Sequence, residues 1–337
     1  MTAPDTIAAD LEGFLIQSGL VAAGEPQTWT VLSGGVSSDI WRVDLPGRSL
    51  CVKRALPKLR VKDDWEAPPD RNLYEWRWFS TVRRWIQGAA PEPLAFDPDR
   101  RLLAMAFLPP QDHPLWKSEM LAGRVDAGFA AEVGQRLGRI HACSAAEPAL
   151  AAEFASDDGF HALRIDAYLL ATARRRPEVA AEIEALAART AGLKLGLVHG
   201  DATPKNILMG PKGPVFLDAE TAWWGDPAFD AASVLNHLLL KRLPVRDRAA
   251  ELNASFTAFA EAWLDQIDYE PRAEAERRAA SLLPALLLAR VDGKSPVEYI
   301  TTDADRDLVR RTAIPLLKSP VETLDAVRAA WDRELKS

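Results

Sequence analysis

Two aspartates and an asparagine are set out along one stretch, LVHGDATPKNILMGPKGPVFLDAETAWWGDPAFD from Leu197 to Asp230, in an order that could serve phosphoryl transfer. An apolar run from Leu195 to Val198 delivers His199, Gly200 and Asp201. Five residues after Asp201, Asn206 heads a second apolar run, Ile207 to Met209. A turn at Gly210 to Pro214 sends the chain back through Val215, Phe216 and Leu217, which deliver Asp218 and Glu220. The pattern reads as hairpin structure with polar groups at its mouths. Transfer of a phosphoryl group from a nucleotide needs a carboxylate to orient and deprotonate the acceptor hydroxyl, and oxygen ligands to hold magnesium against the phosphates. Asp201 stands in the first position, and Asn206 and Asp218 in the second.

Such groups need elements that bring a triphosphate to them. Trp29 to Leu32 and Ile40 to Leu45 read as paired strands, with Gly34, Gly35 and Ser37 in the Gly-Ser turn between them, where backbone amides can approach phosphates closely. Leu50 to Lys53 reads as the next strand and ends on a lysine placed to meet phosphates. Its carboxylate partner belongs on the following helix, marked by Leu73, Trp76 and Phe79, and Glu75 is the best placed acid; Glu66 precedes two prolines and suits a helix less. The intervening loop carries Lys58, Arg60 and Lys62, which could complement phosphate, and Trp65, which either covers a substrate or simply packs in a solvated loop.

Residues 5 to 19 carry an apolar helical face, Ile7, Leu11, Phe14 and Leu15, expected to pack on the small lobe. A strand pair, Pro93 to Phe96 and Leu102 to Phe107, precedes Pro109 and Pro110, which mark a boundary dividing residues 1–108 from 109–337. Beyond it the periodicity is helical. Phe129, Val133, Leu137 and Ile140 form one stripe ending at His141, read as a structural histidine. Residues 165–191 read as further helix with solvated charges. After Asp230, which could cap a helix, Val234, Leu235, Leu238 and Leu239 form a buried face with Asn236 and His237 on its flanks. Trp223, Trp224 and Phe229 read as core or as cleft wall, with core favoured. Arg290 to Tyr299 interrupts an apolar helix with charges; Arg290, Asp292 and Lys294 either line an acceptor pocket or form a polar surface turn.

The order H-G-D-x-x-x-x-N, L-D-x-E and G-D-P-x-x-D resembles the aminoglycoside phosphotransferase and choline kinase superfamily, strongly over residues 195–232, moderately over 31–78 and thinly elsewhere. The resemblance implies an α+β, bilobal protein-kinase-like fold with a small antiparallel N-lobe sheet and a larger, mainly helical C-lobe. It implies an ATP- and Mg2+-dependent kinase that phosphorylates a hydroxyl of a small polar metabolite. Asp201 would be the catalytic base, Asn206 and Asp218 would bind magnesium with Glu220 assisting, and Asp230 would brace the catalytic loop. The backbone from Ala106 to Leu108 would hydrogen-bond adenine. The A-x-P segment after Lys53, the Trp-containing loop and Asp70-Arg71 are similar to 5-methylthioribose kinase, although kinases of that kind usually lack an asparagine at position 206. A sugar kinase of that kind is therefore an alternative, and a nucleotide-binding regulator without turnover is another. A protein kinase is disfavoured, because the few residues between Asp218 and Gly225 leave no room for an activation segment.

The 337 residues, 48% hydrophobic, can bury a sizeable core. A net charge of -7 and no block of Lys or Arg argue against nucleic acid or an anionic membrane as partner. The start lacks the basic and apolar regions of an export signal, no stretch is long and apolar enough to span a membrane, and two cysteines fit reduced thiols in a cytoplasm. A monomer or homodimer acting on a small molecule is expected.

Overall fold

The computed structural model describes residues 5–32, 38–56 and 70–336. A five-stranded antiparallel sheet forms one lobe, built from β1 (Thr28–Val31), β2 (Ser38–Leu45), β3 (Arg48–Ala55), β4 (Pro93–Asp97) and β5 (Leu102–Ala106), in the order β1-β2-β3-β5-β4. Trp41, Val43 and Leu45 alternate into a core under helix α1 (Asp5–Gln17), which contributes Leu11, Phe14 and Leu15. This is the packing on the small lobe that the sequence implied. On β3 the side chains from Leu50 to Lys53 are all buried, because both faces are covered. Strand alternation then directs Leu50 and Val52 into the α1 core and sends Cys51 and Lys53 to the other face, where α2 (Arg71–Trp85) lies.

The second lobe is mainly helical: α3 (Trp116–Leu121), α4 (Ala127–Ala145), α5 (Leu150–Glu153), α6 (Asp157–Phe160), α7 (Ala171–Arg175), α8 (Ala180–Gly192), α9 (Ala228–Leu240), α10 (Ala249–Leu264), α11 (Arg272–Asp292), α12 (Asp303–Lys318) and α13 (Leu324–Lys336). Two short pairs of strands sit among them, β6 (Gly196–Val198) with β9 (Trp223–Gly225), and the hairpin β7 (Ile207–Gly210) with β8 (Gly213–Phe216). The stretch that opened the sequence argument is thus one hairpin nested inside an outer strand pair. The chain is α+β and bilobal, with the small antiparallel sheet on one side and the larger helical lobe on the other. Among the described residues no helix is long and apolar enough to cross a membrane.

Two expectations are corrected. Residues 165–191 are not one helix: a π-helical segment, His161–Leu170, leads into α7, and the chain breaks at Arg176-Pro177 before α8, since proline brings no amide to an ongoing helix. The charges there are not simply solvated, for Arg175 donates to the carbonyls of Asp292 and Gly293 at 2.8 and 2.6 Å. Helix α9 has no exposed flank either; Asn236 and His237 are buried with the rest because α10 and α11 both pack on it. Close approach is also built into α4, where a Cβ on Gly134 would lie 2.4 Å from the Phe259 carbonyl oxygen of α10.

Candidate active site

Lys53 is 2% exposed at the base of the cleft, and Glu75, from the first turns of α2, is 1% exposed beside it. Its Nζ lies 2.8 Å from Glu75 Oε2, bonds Asp218 Oδ1, and is 3.7 Å from Glu220 Oε2. Burial alone would favour the neutral amine, but Asp218 and then Glu75 hold the ammonium protonated well above its ordinary range. Burial pushes the Glu75 carboxyl up to about 7 against the opposing pull of Lys53. Arg71, at the start of α2, reaches the same acidic group, with Nε 3.3 Å from Glu220 Oε2, and anchors back to the Leu56 carbonyl at 2.6 Å. Asp218 adopts a φ of 60°, a conformation sparsely populated outside glycine, so its carboxylate leaves β8 turned into the cleft rather than along the strand.

The His199–Asp201 loop is fastened by bonds to its backbone. Asp230, buried in the first turn of α9, accepts from the amides of His199 at 2.7 Å and Gly200 at 2.9 Å, and its Oδ2 lies 3.3 Å from His141 Nε2. His141 Nδ1 accepts from Trp263 Nε1 at 3.1 Å, which leaves Nε2 to carry the proton toward Asp230; His141 is structural, as the sequence implied. His199 works likewise: Nδ1 accepts from the Asp201 amide at 3.2 Å, so Nε2 donates to the Leu217 carbonyl at 3.0 Å, tying the loop to the strand that delivers Asp218. Burial keeps His199 below its ordinary range and hence neutral. Gly200 takes a φ of 78°, and a Cβ there would stand 2.4 Å from the Thr221 carbonyl oxygen. Only glycine meets both conditions comfortably.

Asp201, 5% exposed, points its Oδ2 at three donors: Asn206 Nδ2 at 2.8 Å, Lys205 Nζ at 2.9 Å and Arg164 Nη2 at 3.2 Å. Burial would raise its carboxyl, yet Arg164 and then Lys205 hold it well below the usual carboxylate range. Arg164 also donates to the Gly200 carbonyl from the π-helical segment. Because Asn206 uses its Nδ2 on Asp201, its amide oxygen is the group left for a cation.

Asp201, Asn206, Asp218, Glu220, Lys53 and Glu75 share the wall of one cavity of about 680 Å³, and Ala106 and Leu108 border it as well. The Ala106 amide is committed to the Glu92 carbonyl at 2.8 Å. Among the described residues no three His, Cys, Asp or Glu side chains gather tightly enough to hold a metal unaided. That donor set fits magnesium, which takes one or two protein oxygens and completes its shell with phosphates and water. Gly34, Gly35, Ser37 and Trp65, with Lys58, Arg60, Lys62 and Glu66, lie outside the described residues. Of the acceptor-pocket candidates, Asp292 is held by Arg176 at 2.6 Å and Arg310 at 2.7 Å, Lys294 by Asp166 at 2.8 Å, and neither is on the wall of this cavity. These ion pairs brace the end of α11. Arg290 stands one side chain behind the wall, bonding Tyr168 Oη at 3.1 Å and Ser295 Oγ at 3.2 Å, both of which line it.

Sequence reasoning missed Arg164, Lys205, Arg71 and Tyr168. Lys205 stands four residues after Asp201, so that spacing alone was a signal; Arg71 was visible only as half of a dipeptide. Arg164 and Tyr168 sit in the π-helical segment and had none.

The model of a phosphotransferase enzyme family matches residues 28–267. A methylthioribose kinase from Pectobacterium carotovorum subsp. carotovorum (strain PC1) is 27% identical over 303 residues, covering 77% of this chain and 73% of that protein. Another methylthioribose kinase, from Escherichia coli O45:K1 (strain S88 / ExPEC), is 23% identical over 259 residues, covering 64% of this chain and 59% of that protein. Among solved structures, amicoumacin kinase hAmiN in complex with AMP-PNP, Ca2+ and Ami superposes with a TM-score of 0.58 at 13% identity, covering 96% of this chain and 98% of that one. At that identity the likeness concerns the fold.

Proposed function

The chain belongs to the phosphotransferase enzyme family, and from that premise we propose that it uses ATP and Mg2+ to phosphorylate a hydroxyl of a small polar metabolite. One observation carries the reading. One and the same cavity joins a buried Lys53–Glu75 ion pair that also reaches Asp218, on one side, to Asp201 bonded to Asn206, on the other.

The division of labour follows from the geometry. Lys53, secured by Glu75, meets phosphate oxygens while keeping Asp218 aimed into the cleft. Asn206 and Asp218, with Glu220 beside them, would hold magnesium, which would supply positive charge against the charge that develops on the phosphates. Asp201 accepts the hydrogen bond of the acceptor hydroxyl and takes its proton as the oxygen attacks. Arg164 and Lys205 keep that carboxylate anionic and fix its direction, which is the larger contribution where the chemistry depends on alignment. Recognition of the base falls to the backbone of Ala106 and Leu108, and the lobes divide at 108/109, where Pro109 and Pro110 follow β5. Gly34, Gly35 and Ser37 are assigned to the phosphates and Trp65 to the acceptor on the sequence alone. We place the protein in the cytoplasm as a monomer or homodimer, in keeping with the free thiols of Cys51 and Cys143.

The test is ADP release by the purified chain with ATP and Mg2+ across amino sugars, pentoses, choline and other alcohols. Acceptor-dependent release that falls about 100-fold or more in Asp201→Asn is expected; turnover that survives the substitution overturns the base assignment. A 5-methylthioribose kinase-like sugar kinase is the second reading, favoured by the Arg71–Glu220 contact, which gives the Asp70-Arg71 dipeptide a place in the site.

A further inference from the structure

The acceptor side of the cleft is cationic beyond what its own carboxylates offset. Lys241, at the end of α9, is 1% exposed, and Arg290, near the end of α11, is 7% exposed. Burying a charge without a partner costs several kcal/mol, so such side chains are ordinarily paired. Among the described residues neither has a carboxylate within ion-pair distance. Lys241 Nζ lies 4.9 Å from the ring centre of Tyr299, a π contact, and Arg290 bonds only the neutral oxygens of Tyr168 and Ser295 while its Nε has no partner.

Further positive charge surrounds them. Lys117 lines the cavity and pairs with Glu298, and Arg164 and Lys205 share the single carboxylate of Asp201. His237, which accepts or donates at 2.9 Å with Tyr299 Oη, is held neutral, far below its ordinary range, by burial and then by Lys241 and Arg290. Burial, followed by the repulsion of Lys117, likewise brings Lys241 down to about 7. The other acidic residues of the cavity, Asp218, Glu220 and Glu75, are engaged with Lys53 and Arg71 on the nucleotide side.

We propose that the acceptor is a hydroxylated anion, whose carboxylate or phosphate group is drawn to the Lys117–Ser295 wall and held by the field of Arg290 and Lys241, while its hydroxyl faces Asp201. The reading rests on the phosphotransfer proposed above and narrows it. Polycationic amino sugars and quaternary amino alcohols meet like charge on this wall, which costs several kcal/mol at close range. Arg290 is a positioning group as well, since its guanidinium lies 5.3 Å from the ring of Tyr168 and that of Arg164 lies 5.4 Å from it, so the anion site and the Asp201 brace share one aromatic spacer.

The experiment uses the full chain and a matched panel: glycerate and glycerol 3-phosphate as carboxylate and phosphate anions, glycerol as the neutral member, choline and an amino sugar as cations. Binding is read by calorimetry in the presence of ADP and Mg2+, and turnover separately by ADP release. The anionic members are expected to bind at least about 10-fold more tightly than glycerol, and Arg290→Met and Lys241→Met to weaken them by about 10-fold, the size of a charge–charge attraction across several ångströms of protein, with glycerol unaffected by Lys241→Met. Whichever anion keeps the larger preference identifies carboxylate or phosphate as the recognised group. Lys241→Met removes a buried amine that has no carboxylate partner among the described residues and should leave the protein at least as stable, and Arg290→Lys should restore part of the anion preference. Equal binding of neutral and anionic members, or tighter binding of the cations, overturns the inference even if ATP is turned over. Anion preference with no ADP release from any acceptor overturns the phosphotransfer reading instead.

Discussion

Replacing Lys53 by methionine separates what the buried ion pair does for folding from what it does for phosphates. Three carboxylates converge on its Nζ: Glu75 at 2.8 Å, Asp218 in direct contact and Glu220 at 3.7 Å. Removing one partner of a buried pair typically costs about 3–5 kcal/mol, because the other charge stays in the interior uncompensated. The sign with pH follows from Glu75, whose carboxyl is already raised from 4.5 to about 7 with the lysine present. Without the lysine it rises further. An acid whose folded value lies above its unfolded one loses stability as pH climbs from the unfolded value through the folded one. The deficit of Lys53→Met against the natural protein should therefore include a part from the stranded Asp218 that is already present at pH 5, and should grow through pH 7 and 8 as Glu75 adds to it. Urea unfolding at three pH values measures it. The double variant Lys53→Met/Glu75→Gln should recover a large part of the loss, since a neutral amide replaces the stranded carboxylate, yet phosphotransfer should stay at the single variant's level. A double variant no more stable than Lys53→Met would refute the argument, as would a deficit that shrinks on alkalinisation.

Three further outcomes are expected. Gly200→Ala combines a φ of 78° with a Cβ 2.4 Å from the Thr221 carbonyl oxygen; it should cost about 1–3 kcal/mol in thermal or urea unfolding and lower kcat more than it raises KM. Asp230→Ala strips the acceptor from two buried amides and from His141; a loss of about 3 kcal/mol or more in unfolding free energy is expected, and stability unchanged within error contradicts the bracing role. In the pH profile of kcat, Asp201 should contribute no fall in rate down to pH 5, because Arg164 and Lys205 hold it ionised below the usual carboxylate range. In Lys205→Met, which removes one of those two cations, the acid limb should move upward.

The residues legible in the sequence are those whose function depends on backbone offsets. Asp201 and Asn206 are five positions apart because a 3-10 turn, Pro204–Asn206, closes the loop between them, and Asp218 follows the return strand of a hairpin whose turn residues announce it. Lys53 and Glu75 could be paired in advance because a strand ending in lysine and the next amphipathic helix leave few acids to choose from. The sheet followed for the same reason: period-2 burial on β2 and a Pro-Pro break after β5 are local signals. Arg164 and Tyr168 were not legible, since nothing local marks a single arginine and tyrosine until a π-helical segment places Arg164 on the Gly200 carbonyl. The same limit applied at the end of α11. Arg290, Asp292 and Lys294 are alternate residues of one polar run, and their sequence offered no way to tell which carry ion pairs and which lacks one. Arg176 and Arg310 claim Asp292, Asp166 claims Lys294, and Arg290 is left with two neutral oxygens. A charge left over in this way is a property of packing between distant segments, a level at which sequence periodicity carries no information.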